Sequence, residues 1–227
     1  AILDSGVDPG APGLSTTTRG LPKVTHILDA TGSGDVDTST IGEPDASGNI
    51  KGLSGRTLLL HPDWSNAKTT FHLGVVNGFK LFPEYVIDTY KKHAKKQMLE
   101  TNEGYIQNAE ETLKALDQNE PHDKTKKQDF KDRVALLKQL ETSFAPPSPV
   151  YDCVVFRLED VWRAVIDTDE DGDLRDETLL EDYSIHQRYA NFGSETLVNF
   201  GVHMYDDGNL LSIIIPSSAH GTHVAGI

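Results

Sequence analysis

The chain has 227 residues, 37% of them hydrophobic and 25% charged, and a formal net charge of −14. It is long enough to bury a sizeable core, and its negative charge argues against general binding to nucleic acid or an anionic membrane, since both partners are polyanions. Cys153 is the single cysteine, which excludes an internal disulfide and a Cys-rich zinc site. No apolar run approaches the roughly 20 residues that span a bilayer, and no basic segment leads into an apolar one as in a signal peptide.

Residues 1–60 are rich in turn signals. "AIL" at the start reads as the tail of a buried strand and leads into Asp4-Ser5-Gly6, a strand-then-turn pattern. "DPGAPG" (8–13) is a turn cluster, "KVTHILDA" (23–30) a predicted strand, "TGSGD" (31–35) a loop and "GRTLLL" (55–60) another strand. In "FHLGVVNGFKLF" (71–82), Asn77-Gly78 stands between two apolar runs and predicts a β-hairpin, because Asn-Gly tolerates the positive φ of a tight turn.

The composition then changes. Residues 84–142 are rich in Lys, Glu, Gln, Ala and Leu and carry a helical period. Val86, Tyr90 and Ala94 repeat at four-residue spacing. Phe130, Val134, Leu137 and Glu141 follow a similar path, with Leu136 and Leu140 widening the stripe. "NEPHDK" (119–124) breaks this stretch into at least two helices, expected as an antiparallel pair, and "APPSP" (145–149) ends it. Short β patterns follow: "YDCVVFRL", "VWRAVID", "TLVNFGVHMY" and "LLSIII", with Asp207-Gly208 predicting a hairpin between the last two. No internal repeat is visible.

Several side-chain groups invite a chemical reading. His220 and His223 lie three residues apart, so a helix would put them on one side. A zinc helix places His at four-residue spacing with Glu after the first, whereas Gly221 follows His220 here. Two ordinary histidines at a helix start fit the sequence better than a metal pair. "DTDEDGDL" (167–174) has the alternating carboxylates Asp167, Asp169, Asp171 and Asp173 and the Gly172 of a calcium loop. Thr178 stands where the bidentate Glu belongs, with Glu177 adjacent, and an Asp-rich turn is the simpler reading. "KKHAKK" (91–96) and "KTKK" (124–127) read as solvated helix faces. "TGSGD" has neither the spacing nor the Lys of a phosphate loop. Trp64 and Trp162 read as core or interface anchors.

The two ends together resemble a family. "AILDSGVD" followed by "HGTHVAGI" is similar to the subtilisin-like serine peptidases, whose catalytic Asp ends a strand before Ser/Thr-Gly and whose catalytic His opens His-Gly-Thr-His-Val-Ala-Gly. The match falls on Asp4, and on His220 rather than His223, in the family's Asp-then-His order. In ordinary members a far shorter stretch separates the two. One lineage carries a long insertion at this point, and "LDSGVDPGAPG", "TGSGDVDT", "GLSGR", "PVYDCVV", "VWRA", "DEDGDL", "YDDGNLLSI" and "AHGTHVA" resemble it nearly end to end, least in 84–145.

The resemblance implies a partial subtilisin-like parallel α/β core, made of the first strand and the last helix, interrupted by a large α+β insertion with β-hairpins and a helical pair. Residues 1–35 would start the core, 36–210 form the insertion including the helical 84–142, and 211–227 return to the core. It implies an exopeptidase that removes tripeptides from the free N-termini of oligopeptides in the cytosol, within a very large homo-oligomer, without a cofactor. Asp4 would orient His220, the general base and then general acid. No stretch reads as the family's Gly-Thr-Ser-Met-Ala, so the nucleophile, the oxyanion-hole Asn and the acidic grip on the substrate's N-terminus are expected beyond Ile227, and the chain alone is expected to be inactive. The closing "HVAGI" reads as the first turn of a longer helix, consistent with a piece of a longer protein. Two other readings stand beside this one: an insertion that serves as an assembly module, and a non-catalytic homologue.

Overall fold

The computed structural model describes residues 1–64, 69–119 and 124–227. In chain order these form β1 (Asp35–Asp37), β2 (Thr40–Gly42), β3 (Asn49–Lys51), β4 (Thr57–Leu59), β5 (Phe71–Asn77), α1 (Gly78–Leu81), α2 (Glu84–Asn119), α3 (Lys124–Ser143), β6 (Val150–Leu158), β7 (Val161–Ile166), α4 (Tyr183–His186), β8 (Ala190–Asn191), α5 (Gly193–Thr196), β9 (Asn199–Tyr205), β10 (Leu210–Ile214) and α6 (His220–Gly226). They gather into two compact units, Ala1–Val86 with Ser148–Ile227, and Ile87–Pro147.

The first unit is a mixed α/β body with three antiparallel sheets, in the orders β1-β10-β9-β8, β2-β5-β6-β7 and β3-β4. Central β6, "VYDCVVFRL", is buried on both faces over six consecutive residues, which explains why its pattern is a continuous apolar run rather than an alternation. Phe71 on β5 pairs across the ladder with Phe156 on β6, ring centroids 5.3 Å apart, and Trp64 stacks against Phe156 at 5.4 Å. Ile50, Leu58, Leu60, Leu73, Val154, Val165 and Leu174 complete this cluster. Each such side chain contributes about 1.5–3 kcal/mol on burial. Trp64 is therefore a core residue. Trp162 lies edge-on to His72 and covers Gly208, where a Cβ would sit 2.6 Å from the indole ring.

The hairpin expected at Asp207-Gly208 is present: β9 and β10 pair from Leu210↔Tyr205. Asp206, Asp207 and Gly208 make its turn at φ of 50°, 50° and 83°. The hairpin expected at Asn77-Gly78 is not. Asn77 ends β5 and caps α1 instead, its Oδ1 accepting from Phe79 N at 3.0 Å and from Ser148 Oγ at 2.6 Å. Gly78 is needed for close approach, since a Cβ would lie 2.6 Å from Pro149 Cγ.

Two further strand expectations are corrected. Residues 1–3 pair with nothing among the described residues, and Leu3 is 98% exposed. Residues 23–30 form no ladder either. Ile27 packs on Tyr183 and Ile214, Tyr183 Oη donates to Val24 O at 3.2 Å, and His203 Nε2 bonds Ile27 O at 2.7 Å. Side chains, not a neighbouring strand, satisfy the carbonyls of Val24 and Ile27. The described strands make only antiparallel ladders, with parallel pairing confined to the isolated bridges Leu59↔Asp173 and Asp182↔Val202. The parallel core expected from residues 1–3 is thus absent from these ladders, while its helical part, α6, is formed.

The second unit is a pair of helices. The expected break at 119–124 falls between α2 and α3, and residues 120–123 of it lie outside the described residues. Asn102 Nδ2 donates to Leu137 O at 3.0 Å and to Glu141 Oε1 at 2.8 Å, and Lys138 reaches Glu110 at 3.4 Å. Later residues of α2 thus meet earlier residues of α3, the antiparallel arrangement. Phe130, Val134, Leu137 and Glu141 are half-buried. Leu136 and Leu140, expected to widen the stripe, are 67% and 44% exposed.

Candidate functional site: an Asp-His pair joined across the chain

Asp4 and His220 meet. His220 Nδ1 lies 2.7 Å from Asp4 Oδ2 and 2.9 Å from Oδ1. An ionised carboxylate only accepts, so Nδ1 carries the proton and Nε2 presents its lone pair. The imidazole is 72% exposed and the carboxylate 19%. Among the described residues Nε2 has no hydrogen-bond partner and faces solvent.

The loop 4–8 and the start of α6 are laced together to make this contact. Ser5 N donates to Asp4 Oδ1 at 2.6 Å and Ser5 Oγ to the same oxygen at 2.9 Å. Ser217 N and Oγ donate to Ser5 O at 2.7 and 3.0 Å. Gly6, at φ 95°, turns the chain beside Pro216. Gly221 is buried because any Cβ there would overlap the Gly6 carbonyl oxygen and press on Asp4 Cβ. One turn further on, Asp8 N donates to Thr222 Oγ1 at 2.9 Å, and Asn199 Nδ2 at the start of β9 donates to Asp8 Oδ1 at 2.8 Å.

These donors hold the Asp4 carboxyl low, at a pKa of about 2, chiefly through the Ser5 backbone N–H and then through His220 and the Ser5 hydroxyl. Asp4 therefore stays ionised across the neutral range. His223 is exposed and takes no part in the pair. With Ala11, Leu14, Lys23 and Thr222 it lines an open cleft of about 530 Å³.

The acidic loop behaves differently. Asp167, Asp169 and Asp171 each bring a carboxylate oxygen within 4.8 Å of the others. Asp167 is fully buried, yet its oxygens accept from Arg56 Nε at 3.0 Å and Gly172 N at 3.3 Å. Burial pushes its carboxyl above the ordinary range. The Arg56 guanidinium also meets Asp152 and Glu170, each at 3.4 Å, and so supplies the positive charge at this site. Glu177 accepts from Thr168 N and Oγ1 at 2.5 and 2.7 Å, and Asp173 pairs with Arg175 at 2.5 Å. These contacts anchor the Asp-rich turn on Arg56 and Arg175. Lys91, Lys92, Lys95, Lys96 and Lys124 are exposed, as expected of solvated helix faces.

The sequence reading missed Ser5, Ser217, Ser218, Thr222 and Asn199 as the lacing of the pair. The clue was present in the run of small hydroxyl residues before His220. It also missed His203, which is buried, hydrogen-bonded to Asp182 and bonded to Ile27 O.

Along its whole length the chain is homologous to tripeptidyl-peptidase 2: it is 38% identical over 240 residues to the protein of that name in Arabidopsis thaliana, 36% over 238 residues to that of Oryza sativa subsp. japonica, and 33% over 241 residues to that of Drosophila melanogaster. Each match covers 100% of this chain but only 17–18% of the relative. The crystal structure of tripeptidyl peptidase 2 superposes with a TM-score of 0.66 at 25% identity, covering 98% of this chain and 17% of that one. No protein-family model matches the chain. Among the described residues no helix is long and apolar enough to cross a membrane.

Proposed function

We propose that this chain supplies the Asp-His half of a subtilisin-like serine peptidase site that removes tripeptides from the free N-termini of oligopeptides. The observation that carries the reading is the 2.7 Å contact between Asp4 and His220 Nδ1, with Nε2 left open. In this mechanism Nε2 takes the proton of a serine hydroxyl as its oxygen bonds the scissile carbonyl carbon. It then gives that proton to the leaving amine as the carbon–nitrogen bond breaks. Asp4 remains ionised throughout and stabilises the imidazolium. Metal and cofactor have no role in these steps. Residues 36–210 stand between the two catalytic side chains as an insertion, residues 1–35 and 211–227 flank it, and the serine comes from sequence outside this chain.

The test has two parts. The isolated chain should not hydrolyse a tripeptidyl-amide substrate. Installed in place of the matching segment of a full-length tripeptidyl-peptidase 2, it should support hydrolysis, and His220→Ala in that protein should lower kcat by roughly 10⁴–10⁶-fold. Turnover by the isolated chain at the full-length rate, or an unaffected His220→Ala protein, would overturn the assignment; failure of the parent substitution to restore any turnover would favour a non-catalytic homologue.

A second reading concerns the helical unit. Leu136 and Leu140 are exposed on α3 and, with Leu137, line an apolar groove of about 300 Å³. This supports a role for residues 84–142 in assembling the cytosolic homo-oligomer that the resemblance implies. A change in oligomer mass on Leu136→Lys in the full-length protein, with kcat per site unchanged, would support it.

A further inference from the structure

We infer that Ser218 is a positioning residue for the Asp4–His220 pair, acting through the hydroxyl of Ser5. The inference rests on the reading of that pair as catalytic, but its geometry stands independently. Ser218 Oγ donates to Ser5 Oγ at 2.7 Å, and Gly221 N donates to the same oxygen at 3.3 Å. A serine oxygen has two lone pairs and one proton. With both lone pairs engaged, the single proton of Ser5 is directed at Asp4 Oδ1, 2.9 Å away. Apart from Ser218 Oγ, which spends its own proton on Ser5, the other acceptor within its reach among the described residues is the carbonyl oxygen of Ser218, at 3.5 Å.

Ser218 is itself oriented by His220. The backbone N–H of His220 donates to Ser218 Oγ at 3.3 Å, which turns the hydroxyl proton away from α6 and toward Ser5. The contacts close a ring: His220 N–H to Ser218, Ser218 to Ser5, Ser5 to Asp4, and His220 Nδ1–H to Asp4. The two hydroxyls each accept one bond of the ring and pass their own proton to the next member, so the carboxylate is held at the angle that accepts Nδ1–H. Such aligned hydroxyls reinforce one another. Loss of the Ser218 hydroxyl frees the Ser5 hydroxyl to rotate toward the carbonyl of residue 218 or toward water, and Asp4 loses a fixed donor.

The experiment is NMR on the 227-residue chain, following the Asp4 carboxyl carbon and the His220 Nδ1–H proton against pH. Ser218→Ala and Ser218→Val both remove the hydroxyl, and Ser218→Thr retains it. In the first two the proton affinity of Asp4 should rise by roughly threefold, and the Nδ1–H resonance should shift or broaden into solvent exchange. Ser218→Thr should restore wild-type behaviour. A merely structural role would perturb the amides of β9 and β10 as well, and these should remain unchanged. Wild-type titration and Nδ1–H resonance in a folded Ser218→Ala or Ser218→Val chain would overturn the inference, as would failure of Thr to rescue. None of these readouts requires turnover, so a negative peptidase assay would retire the functional reading without touching this one.

Discussion

The two units of the chain are built on opposite terms. The first carries 24 acidic and 10 basic residues and therefore all of the net charge, and the second carries 11 of each. The first has a deep core of Phe71, Phe156, Leu58 and Leu174, held by ladders between distant segments. The second has two helices with few buried side chains, Asn102 and Ala109 among them, and α3 has none. Long-range burial maintains the first unit against its own charge repulsion. In the second, local backbone hydrogen bonds and a thin interhelical seam do the holding, so its stability depends more on helix propensity than on packing.

That contrast can be broken at specific side chains. Phe156→Ala should destabilise the first unit most, by about 3–5 kcal/mol, because it empties the centre of the aromatic cluster; urea denaturation read by Trp64 fluorescence measures it. Arg56→Ala should cost about 3 kcal/mol at neutral pH, since it strands the buried Asp152 and Asp167 carboxylates. The cost should shrink in acid as Asp167, whose carboxyl burial raises, protonates, which the same titration at pH 4 would reveal. In the second unit, Asn102→Ala removes two interhelical hydrogen bonds and should cost only about 1 kcal/mol, read from the helical circular dichroism signal.

The Asp4 contact should show its own pH signature. A carboxyl held at about 2 in the folded chain and ordinary when unfolded adds stability that is fully present above about pH 4. That contribution is lost as the pH falls toward 2. The Asp4 carboxyl carbon shift should mark that window, and a midpoint near 4 would mean that the donors around Asp4 do not hold in solution. Smallest of all, Leu140→Lys should change the unfolding free energy of the isolated chain by no more than about 0.5 kcal/mol, because Leu140 is already exposed. A large loss there would mean that the groove on α3 is covered.

The helices were legible because their period is local: Phe130, Val134, Leu137 and even Glu141 took the half-buried positions that the spacing predicts. What failed were sites where a distant partner decides. Asn77-Gly78 has the composition of a hairpin turn, but Ser148, 71 residues away, completes a helix cap there. Residues 23–30 have strand composition, but Tyr183 and His203 bind their carbonyls in place of a neighbouring strand. Asp4 and His220 were legible only through the motifs around them, since no periodicity links residues 216 apart. The lacing by Ser5 and Ser218 could not be read, because a serine side chain carries no directional information until its neighbours are placed.

The pairing of β1 with β10 shortens the loop that the Asp4–His220 contact must close. Asp4 and His220 are 216 residues apart, and joining them directly means closing a loop of that length. Once Asp35 is in register with Ser212, the loop left to close shrinks to about 40 residues, which lowers the entropic cost by about 1.5 kcal/mol. The contact between Asp4 and His220 is thus cheaper to make once the sheet is in place. Until that ladder forms, the aspartate and the histidine face the full loop-closure cost, so the sheet lowers the cost of assembling the pair.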